Sequence, residues 1–232
     1  MMLKKLALAS AFVLGMTILS GTAWADNIPI VNPSFETNPG TLTPNCSLGG
    51  PTCAYNSGPI FGWSTASGGV WLPGTYFNSV PDGSLIGYTN APSPLSQTLG
   101  NSVLANSVYT LSVFVGDRTD GGSGNYTLSL DTILGGVTTT LCSFTGNASS
   151  IGSGMFHVEG CNYVSLSSVP SGVLYLQFSA NTGQLDVDNV SLTVQSATSV
   201  PEPSSILLLG IGMLFVFFTL MVRKKRELLL AA

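Results

Sequence analysis

The central part of the sequence predicts an all-β fold, either a β-sandwich or a β-barrel. Apolar residues alternate at period two in several short runs, among them residues 109–115, 126–130 and 174–178. Turn-forming Gly, Pro, Asn and Asp residues separate these runs, and no segment before residue 200 keeps a helical period. Many short strands joined by glycine-rich turns are typical of sandwiches and barrels.

The alternation also predicts which side chains of three runs share a face. The predicted faces are Tyr109, Leu111, Val113 and Val115; Tyr126, Leu128 and Leu130; and Leu174, Leu176 and Phe178. We expect each set to be buried.

The two ends of the 232-residue chain differ in composition from the middle. The first 25 residues and the stretch after residue 199 carry the long apolar runs, which account for much of the positive mean hydropathy. Residues 26–199 are therefore predicted to form one extracytoplasmic domain, since about 170 residues suffice for a single core.

The charge of this middle region limits its partners. Between residues 26 and 199 the only cation is Arg118, which stands against nine acidic side chains. Such a domain cannot neutralise a phosphate backbone, so nucleic-acid binding is excluded and acidic polymers are disfavoured. Neutral sugars and divalent cations are compatible with this charge.

Four cysteines lie in the middle region, and their even number in an exported chain predicts two disulfides. Three pairings can be drawn. The local pairs Cys46–Cys53 and Cys142–Cys161 are favoured. A zinc site is disfavoured because there is no CxxC pair and His157 is the only histidine.

The N-terminus has the three parts of a secretory signal peptide, predicted to span residues 1–25. Lys4 and Lys5 precede an apolar stretch over 6–20, and the small residues Ala23 and Ala25 form an A-x-A cleavage site. The Sec translocon and signal peptidase are the implied partners.

The C-terminus predicts a membrane segment. Residues 206–222 form a run of 17 without a charge, and a helix of that length reaches about 26 Å, close to the bilayer core of about 30 Å. The basic cluster 223–226 should remain cytoplasmic under the positive-inside rule. The domain would then lie outside the inner membrane.

Pro201, Glu202 and Pro203 stand just before this segment. Together with the apolar run and the basic cluster, residues 200–226 resemble the PEP-CTERM sorting signal. In that family an exosortase in the membrane is believed to cut the tail near the Pro-Glu-Pro. The resemblance implies export in a Gram-negative bacterium that makes exopolysaccharide, transient inner-membrane anchoring, and a final place on the cell surface or in the biofilm matrix.

A second resemblance covers most of the middle domain. Residues 30–36, the Phe61-Gly62-Trp63 element, and the runs at 95–99, 109–115 and 185–192 are similar to galactose-binding-like jelly rolls. This resemblance implies a jelly-roll β-sandwich. The predicted fold is thus an all-β jelly roll, preceded by a signal peptide and followed by one C-terminal transmembrane helix.

The last predicted strand poses a question of burial. Strict alternation sends Asp186 and Asp188 to the same buried face as Val190 and Leu192, and an unpaired buried carboxylate is costly. A β-bulge near 188–189, a solvent-facing strand end, or a bound cation would each resolve this. The resemblance implies a structural Ca²⁺ held by Glu36 and Asp188, although the sequence requires no cofactor.

A carbohydrate site is the ligand site that the sequence favours. Trp71 and Tyr76 lie in a stretch rich in Gly and Pro, and Arg118 ends a predicted strand before a glycine-rich loop. Aromatic rings stack on sugars, and Arg binds hydroxyl groups, so these three residues are the candidates. Against this, Trp63 and Trp71 can be core residues, and Arg118 can form a surface ion pair of little energy.

The sequence offers no catalytic constellation, so we predict that the protein is not an enzyme. His157 is the only histidine, no G-x-S-x-G element is present, and partners for Glu36 or Glu159 cannot be chosen. The predicted function is a non-catalytic surface or matrix protein that binds exopolysaccharide. A structural or adhesive coat protein, with ice binding as a remote case through 137–140, and a glycan-acting hydrolase are the alternatives.

Overall fold

Two β-sheets form the domain in the computed structural model, which describes residues 25–37, 41–44, 46 and 53–196. The strands are β1 (Ala25–Asn27), β2 (Thr43–Pro44), β3 (Ala54–Ser57), β4 (Ser64–Thr65), β5 (Gly68–Leu72), β6 (Ile86–Asn90), β7 (Pro94–Ser102), β8 (Ser107–Gly116), β9 (Asn125–Leu134), β10 (Val137–Asn147), β11 (Phe156–Val164), β12 (Val173–Ala180) and β13 (Gln184–Ser196). Within these ranges the only helical elements are two 3₁₀ turns, Gly74–Tyr76 and Ala148–Ser150.

The strands pair antiparallel within each sheet. The larger sheet has the order β11-β8-β13-β6-β5-β3-β2, with β1 added beside β13, and the smaller sheet has the order β10-β9-β12-β7-β4. The predicted all-β sandwich is confirmed.

A single hydrophobic core lies between the two sheets. All three predicted faces belong to it: the alternating residues of β8, β9 and β12 are at most 2% exposed. Trp63 is also in this core, where its ring lies 5.4 Å from Phe35 and 5.6 Å from Phe178 between centroids. The alternation predicted these faces correctly because antiparallel strands turn every second side chain toward the opposing sheet.

The structure contains both of the favoured disulfides, Cys46–Cys53 and Cys142–Cys161. The second joins β10 to β11, which are edge strands of different sheets. It therefore links the two layers of the sandwich along one side.

A β-bulge in β13 changes which face its residues occupy. The register with β8 shifts between Asp188 and Ser191, and Asn189 has a positive φ of 45°. Leu185 and Val187 before the bulge then share the inter-sheet core with Val190 and Leu192 after it. The bulge alternative is confirmed: Asp186 and Asp188, which strict alternation would have sent to the core, occupy the opposite face of the larger sheet.

That outer face of the larger sheet carries a second, smaller cluster. Its buried members are Cys53, Trp71, Tyr76, Phe77, Ile86 and Tyr88. The solvent-facing alternative for Asp186 and Asp188 is wrong, since both are fully buried beside these side chains.

Several predictions fall outside the described residues. These are the signal peptide up to Ala23, the motif Pro201-Glu202-Pro203, the apolar run 206–222 and the basic cluster 223–226. Ala25, at the predicted cleavage site, is the first residue of β1. Within the described ranges, the structure has no helix with the length and apolar character needed to cross a membrane.

Candidate functional site: an aromatic cleft on the larger sheet

A cleft of about 300 Å³ lies on the outer face of the larger sheet. It contains all three of the candidate ligand-binding residues named from the sequence. Its lining residues are Cys46, Tyr55, Trp71, Tyr76, Tyr88, Asn90, Arg118 and Gln184.

Strand register places the aromatic side chains of the cleft together. Tyr55 of β3 lies directly opposite Trp71 of β5, and Tyr88 of β6 faces the same way. The Trp71 ring centroid is 5.1 Å from that of Tyr76 and 6.3 Å from that of Tyr88. Trp71 and Tyr76 are only 5% and 4% exposed, so they form the walls of the cleft and not an open stacking surface.

Arg118 covers part of this aromatic wall. Its guanidinium carbon lies 4.8 Å from the Tyr76 ring centroid and 5.1 Å from that of Trp71, within the range of cation–π attraction. The loop after β8 holds it there, because the amide of Arg118 donates to Ser123 Oγ and the amide of Thr119 donates to the carbonyl of Tyr76. A Cβ at Gly122 would lie 3.0 Å from the guanidinium carbon, so a side chain there would require Arg118 to shift by a few tenths of an ångström.

Three of the five N–H groups of the Arg118 guanidinium donate to protein groups. Nε and Nη2 donate to both oxygens of Asp120, at 2.9 and 2.6 Å, and Nη1 donates to Gln184 Oε1 at 2.8 Å. The side chains of Arg118 and Asp120 are 14% and 19% exposed. The ion pair is thus a bidentate, mostly buried one that fixes the cleft wall, and not the weak surface pair considered from the sequence.

Asp186 lies beneath the cleft at the end of the same network. Gln184 Nε2 donates to Asp186 Oδ1 at 2.5 Å, which links this carboxyl to Arg118 through one amide side chain. Burial raises the pKa of Asp186 to about 7, while Gln184 and Arg118 act in the opposite direction. The carboxyl is therefore poised to hold a proton near neutral pH.

Two polar atoms of this region lack partners. Among the described residues, none accepts a hydrogen bond from Trp71 Nε1 and none bonds Asp186 Oδ2, although both atoms are buried. Each such atom costs free energy in the absence of a partner. The Trp71 atom belongs to a residue that lines the cleft, so a group bound there has a donor to satisfy.

The predicted calcium ligands, Glu36 and Asp188, lie away from the cleft and hold one loop. Glu36 Oε1 accepts hydrogen bonds from the amides of Ser84 and Leu85, each at 2.7 Å. Asp188 Oδ2 accepts from the amide of Asp82 at 2.9 Å, and Oδ1 accepts from the amide of Asn189. The two carboxylates thus accept hydrogen bonds from the same loop, residues 82–85.

The bonding at this loop differs from that of a calcium site. Calcium takes oxygen ligands, whereas the oxygens of Glu36 and Asp188 are engaged by N–H donors. In the part of the chain that the structure describes, no three His, Cys, Asp or Glu side chains converge to hold a metal ion. Burial, together with the nearby charges of Asp82 and Glu36, raises the pKa of Asp188 to about 7.

The remaining candidates from the sequence are scattered. His157 lies on β11, where its Nδ1 is 3.1 Å from Glu159 Oε1 and its side chain is 68% exposed. Neither Glu159 nor Glu36 lines the cleft. Thr138, Thr139 and Thr140 are exposed along β10.

Tyr55, Tyr88, Asn90 and Gln184 line the cleft, but the sequence did not identify them. Tyr55 follows the Cys46–Cys53 loop, and Gln184 begins the last strand. Their convergence depends on β3, β5, β6 and β13 being neighbours, which local alternation does not specify. The only local signal among these four residues is that Tyr55 follows Cys53, a cysteine of a predicted disulfide, by two positions.

Comparison with protein families gives two matches along the chain. A family model described as HpiC1 cyclase matches residues 26–193. The model of the PEP-CTERM protein-sorting motif matches residues 199–226, which confirms the sorting signal recognised from its Pro-Glu-Pro. No curated protein matches the chain.

The domain is similar in structure to several carbohydrate-binding modules. A structure described as "CBM4 structure and function" aligns with a TM-score of 0.43 and 15% identity over 72% of this chain and 100% of the other. The CBM22-1 xylan-binding domain of Paenibacillus barcinonensis Xyn10C aligns with a TM-score of 0.46 and 13% identity over 77% of this chain and 100% of the other. At such TM-scores and identities these likenesses say nothing about a ligand.

Proposed function

The chain belongs to the HpiC1 cyclase family and ends in a PEP-CTERM sorting motif. We propose that it is a non-catalytic surface or matrix protein that binds a neutral carbohydrate, such as the host exopolysaccharide, in the cleft beside Trp71, Tyr76 and Arg118. The observation that carries this proposal is the cleft itself, in which aromatic rings, amides and one fixed guanidinium converge.

The charge balance of the cleft favours a neutral ligand. Asp120 neutralises Arg118 through a bidentate pair, and Gln184 accepts a hydrogen bond from Nη1. No uncompensated cation is then offered to a phosphate or carboxylate among the described lining residues. A polyol can instead bond with the amides of Asn90 and Gln184 without a charge of its own.

The apolar and polar groups of the cleft suit the two kinds of surface on a sugar ring. Tyr55 is partly exposed and offers a ring for the apolar face of a pyranose, while its cross-strand neighbour Trp71 and the buried Tyr76 line the cleft with it. Sugar hydroxyls both donate and accept, so one ligand meets these different demands.

The remaining parts of this proposal concern location. The PEP-CTERM motif and the two disulfides indicate an exported, cell-surface protein processed by an exosortase. We further propose the jelly-roll class of the sandwich, removal of the signal peptide after Ala25, transient anchoring by the apolar run 206–222, and a final place in the biofilm matrix.

A glycan array that includes the host exopolysaccharide tests the proposed binding. Tyr55→Ala and Gln184→Ala should lower affinity at least about tenfold, as loss of a ring or amide contact at the centre of a site does. Tyr175→Ala and Gln177→Ala on β12 provide matched controls, because they remove the same side chains from a strand of the other sheet. Absence of binding to every glycan, or equal losses in the controls, would refute the proposal.

A catalytic role is the second candidate, favoured by the family description and by the protonated state expected of Asp186 near pH 7. A buried carboxylic acid can serve as a general acid. Asp186 is fully buried, however, and it meets the cleft through Gln184 without lining it. Because a general acid must reach the proton acceptor, this geometry favours binding over turnover.

A comparison of wild type with Asp186→Asn distinguishes the binding function from the catalytic one. Incubation of the purified protein with a small-molecule extract of the host, followed by mass spectrometry, should give the same products with wild type and with Asp186→Asn. A product that forms with wild type and disappears in Asp186→Asn, with the fold intact by circular dichroism, would establish the catalytic alternative.

A further inference from the structure

We propose that the end of the sandwich opposite the cleft is a lipid-binding surface that contacts the bilayer while the chain is anchored. This inference rests on the anchoring part of the proposed function. The surface consists of Leu104, Val164, Leu166 and the β9–β10 hairpin residues Leu134 and Val137, and we refer to it as the apolar end.

Both termini of the described domain lie at the apolar end. Ala25 of β1 pairs with Gln195, and Ser196 pairs with Ser107 at the start of β8. The chain therefore enters the first strand and leaves the last strand at the same place. Any membrane segment that follows the domain in the sequence is therefore joined to it at this end.

Hydrogen bonds and register bring the exposed apolar residues to this end. The amide of Asn106 donates to the carbonyl of Leu166, and Ser165 Oγ donates to that of Leu104. In the smaller sheet Val173 pairs with both Ser102 and Ile133, which puts the hairpin after Leu134 at the same end. The five side chains of the apolar end are 55% to 71% exposed.

The distribution of charge also suits this end for a bilayer. Among the described residues, Glu36, Asp82 and Asp120, the last of them mostly covered by its pair with Arg118, lie in the cleft half of the larger sheet, and Asp26 is the exception near Ala25. Anionic lipids repel carboxylates, so the half with few of them is the half that can approach. The transfer of exposed leucine and valine side chains from water into the membrane interface lowers the free energy.

The length of the intervening chain keeps the domain near the membrane. Residues 197–205 separate Ser196 from the apolar run, and nine residues span at most about 30 Å. The cleft lies at the other ends of β8 and β13, about 30 Å along the strands from the apolar end. The proposed orientation therefore presents the cleft away from the bilayer, toward extracellular polymer.

Tryptophan fluorescence in vesicles tests this surface directly. The full chain would be reconstituted in vesicles of phosphatidylethanolamine and phosphatidylglycerol that carry lipids brominated on the acyl chain. Val137→Trp and Leu166→Trp should each lose part of their added fluorescence when brominated lipids replace unbrominated ones, since a side chain that enters the headgroup and acyl boundary comes close to the bromine. Met155→Trp is the matched control, because Met155 is an exposed apolar residue at the cleft end of β11.

The outcomes distinguish this inference from the proposed function. Retention of the chain by vesicles after carbonate washing, without quenching at 137 or 166, would overturn the lipid-binding surface and leave anchoring intact. Equal quenching at 155 would overturn it as well. Loss of the chain on washing would refute the proposed anchoring, and this inference with it, while glycan binding would stand on its own assay.

Discussion

The two faces of the larger sheet are built from different kinds of residue. The inner face contributes Leu, Val and Tyr side chains to the inter-sheet core at nearly every second position of β8 and β13. The outer face combines aromatic rings with Arg118, Asp186 and Asp188, all of them partly or fully buried. The inner face achieves stability by apolar burial alone, whereas the outer face needs a network of polar partners to bury its charges.

This difference indicates where function resides. A fully apolar interior offers a ligand nothing specific, but a layer of rings, amides and a fixed guanidinium recognises polar solutes. The outer face also contains the unsatisfied atoms Trp71 Nε1 and Asp186 Oδ2, and the described core residues of the inner face contribute none. Substitutions on the two faces should therefore separate folding from binding.

The largest expected effect is in the inter-sheet core, to which the inner face of the larger sheet and β12 of the smaller sheet both contribute. Phe178→Ala should lower the free energy of unfolding by about 3–5 kcal/mol, because it removes a fully buried ring between the sheets. Tyr55→Ala in the cleft should cost about 1 kcal/mol of stability while lowering glycan affinity at least about tenfold. Urea unfolding of both variants measures the contrast, and equal destabilisation would mean that the cleft is also part of the core.

The two disulfides extend the comparison, because Cys142–Cys161 links the two sheets and Cys46 of the other disulfide lines the cleft. Replacing Cys142 and Cys161 by Ala should cost about 3 kcal/mol, and replacing Cys46 and Cys53 about 2.5 kcal/mol, because the longer loop gains more entropy when opened. Only the second replacement should weaken glycan binding, since Cys46 lines the cleft. Loss of glycan binding on replacing Cys142 and Cys161, but not on replacing Cys46 and Cys53, would contradict binding in the cleft.

The buried aspartates give the outer face a pH dependence that the inner face lacks. Because the folded-state pKa values of Asp186 and Asp188 are raised to about 7 from 3.8, the folded chain holds more protons than the unfolded chain between these values. The contribution of these two groups to the free energy of unfolding therefore falls as pH rises from about 4 to about 7, and it is constant above about pH 7.

Asp186→Asn should remove the part of this pH dependence that Asp186 contributes. Relative to wild type, the variant should gain about 3 kcal/mol in free energy of unfolding between pH 5 and pH 8, because only wild type must ionise a buried carboxyl over that range. Thermal melts at several pH values provide the measurement. A difference independent of pH would show that Asp186 is ionised in the folded protein at all of them.

The smallest expected effect concerns the loop held by Glu36 and Asp188. Since N–H donors already engage both carboxylates, EDTA should shift the Tm by no more than about 1 °C, whereas losing a bound stabilising ion shifts it by several degrees. A drop of several degrees, restored by added Ca²⁺, would instead support the calcium implied by the jelly-roll resemblance.

The sequence predicted the inner face well and the outer face poorly, for physical reasons. Alternation in β8, β9 and β12 is a local signal, and burial between two sheets enforces it. The bulge at 188–189 reverses the phase of β13, so alternation alone assigned Asp186 and Leu185 to the wrong faces. Trp71, Tyr76 and Arg118 were identified by residue type, but Tyr55, Asn90 and Gln184 join them only through long-range strand order.

Tryptophan emission provides the most direct test of glycan binding at the outer face, because Trp71 lines the cleft and Trp63 lies in the inter-sheet core. Titration of the mature protein with oligosaccharides from the host exopolysaccharide should change the emission of wild type and of Trp63→Phe, and the change should vanish in Trp71→Phe. A change that persists in Trp71→Phe and is lost in Trp63→Phe, or saturable binding with no change in any of the three, would contradict a sugar site in this cleft.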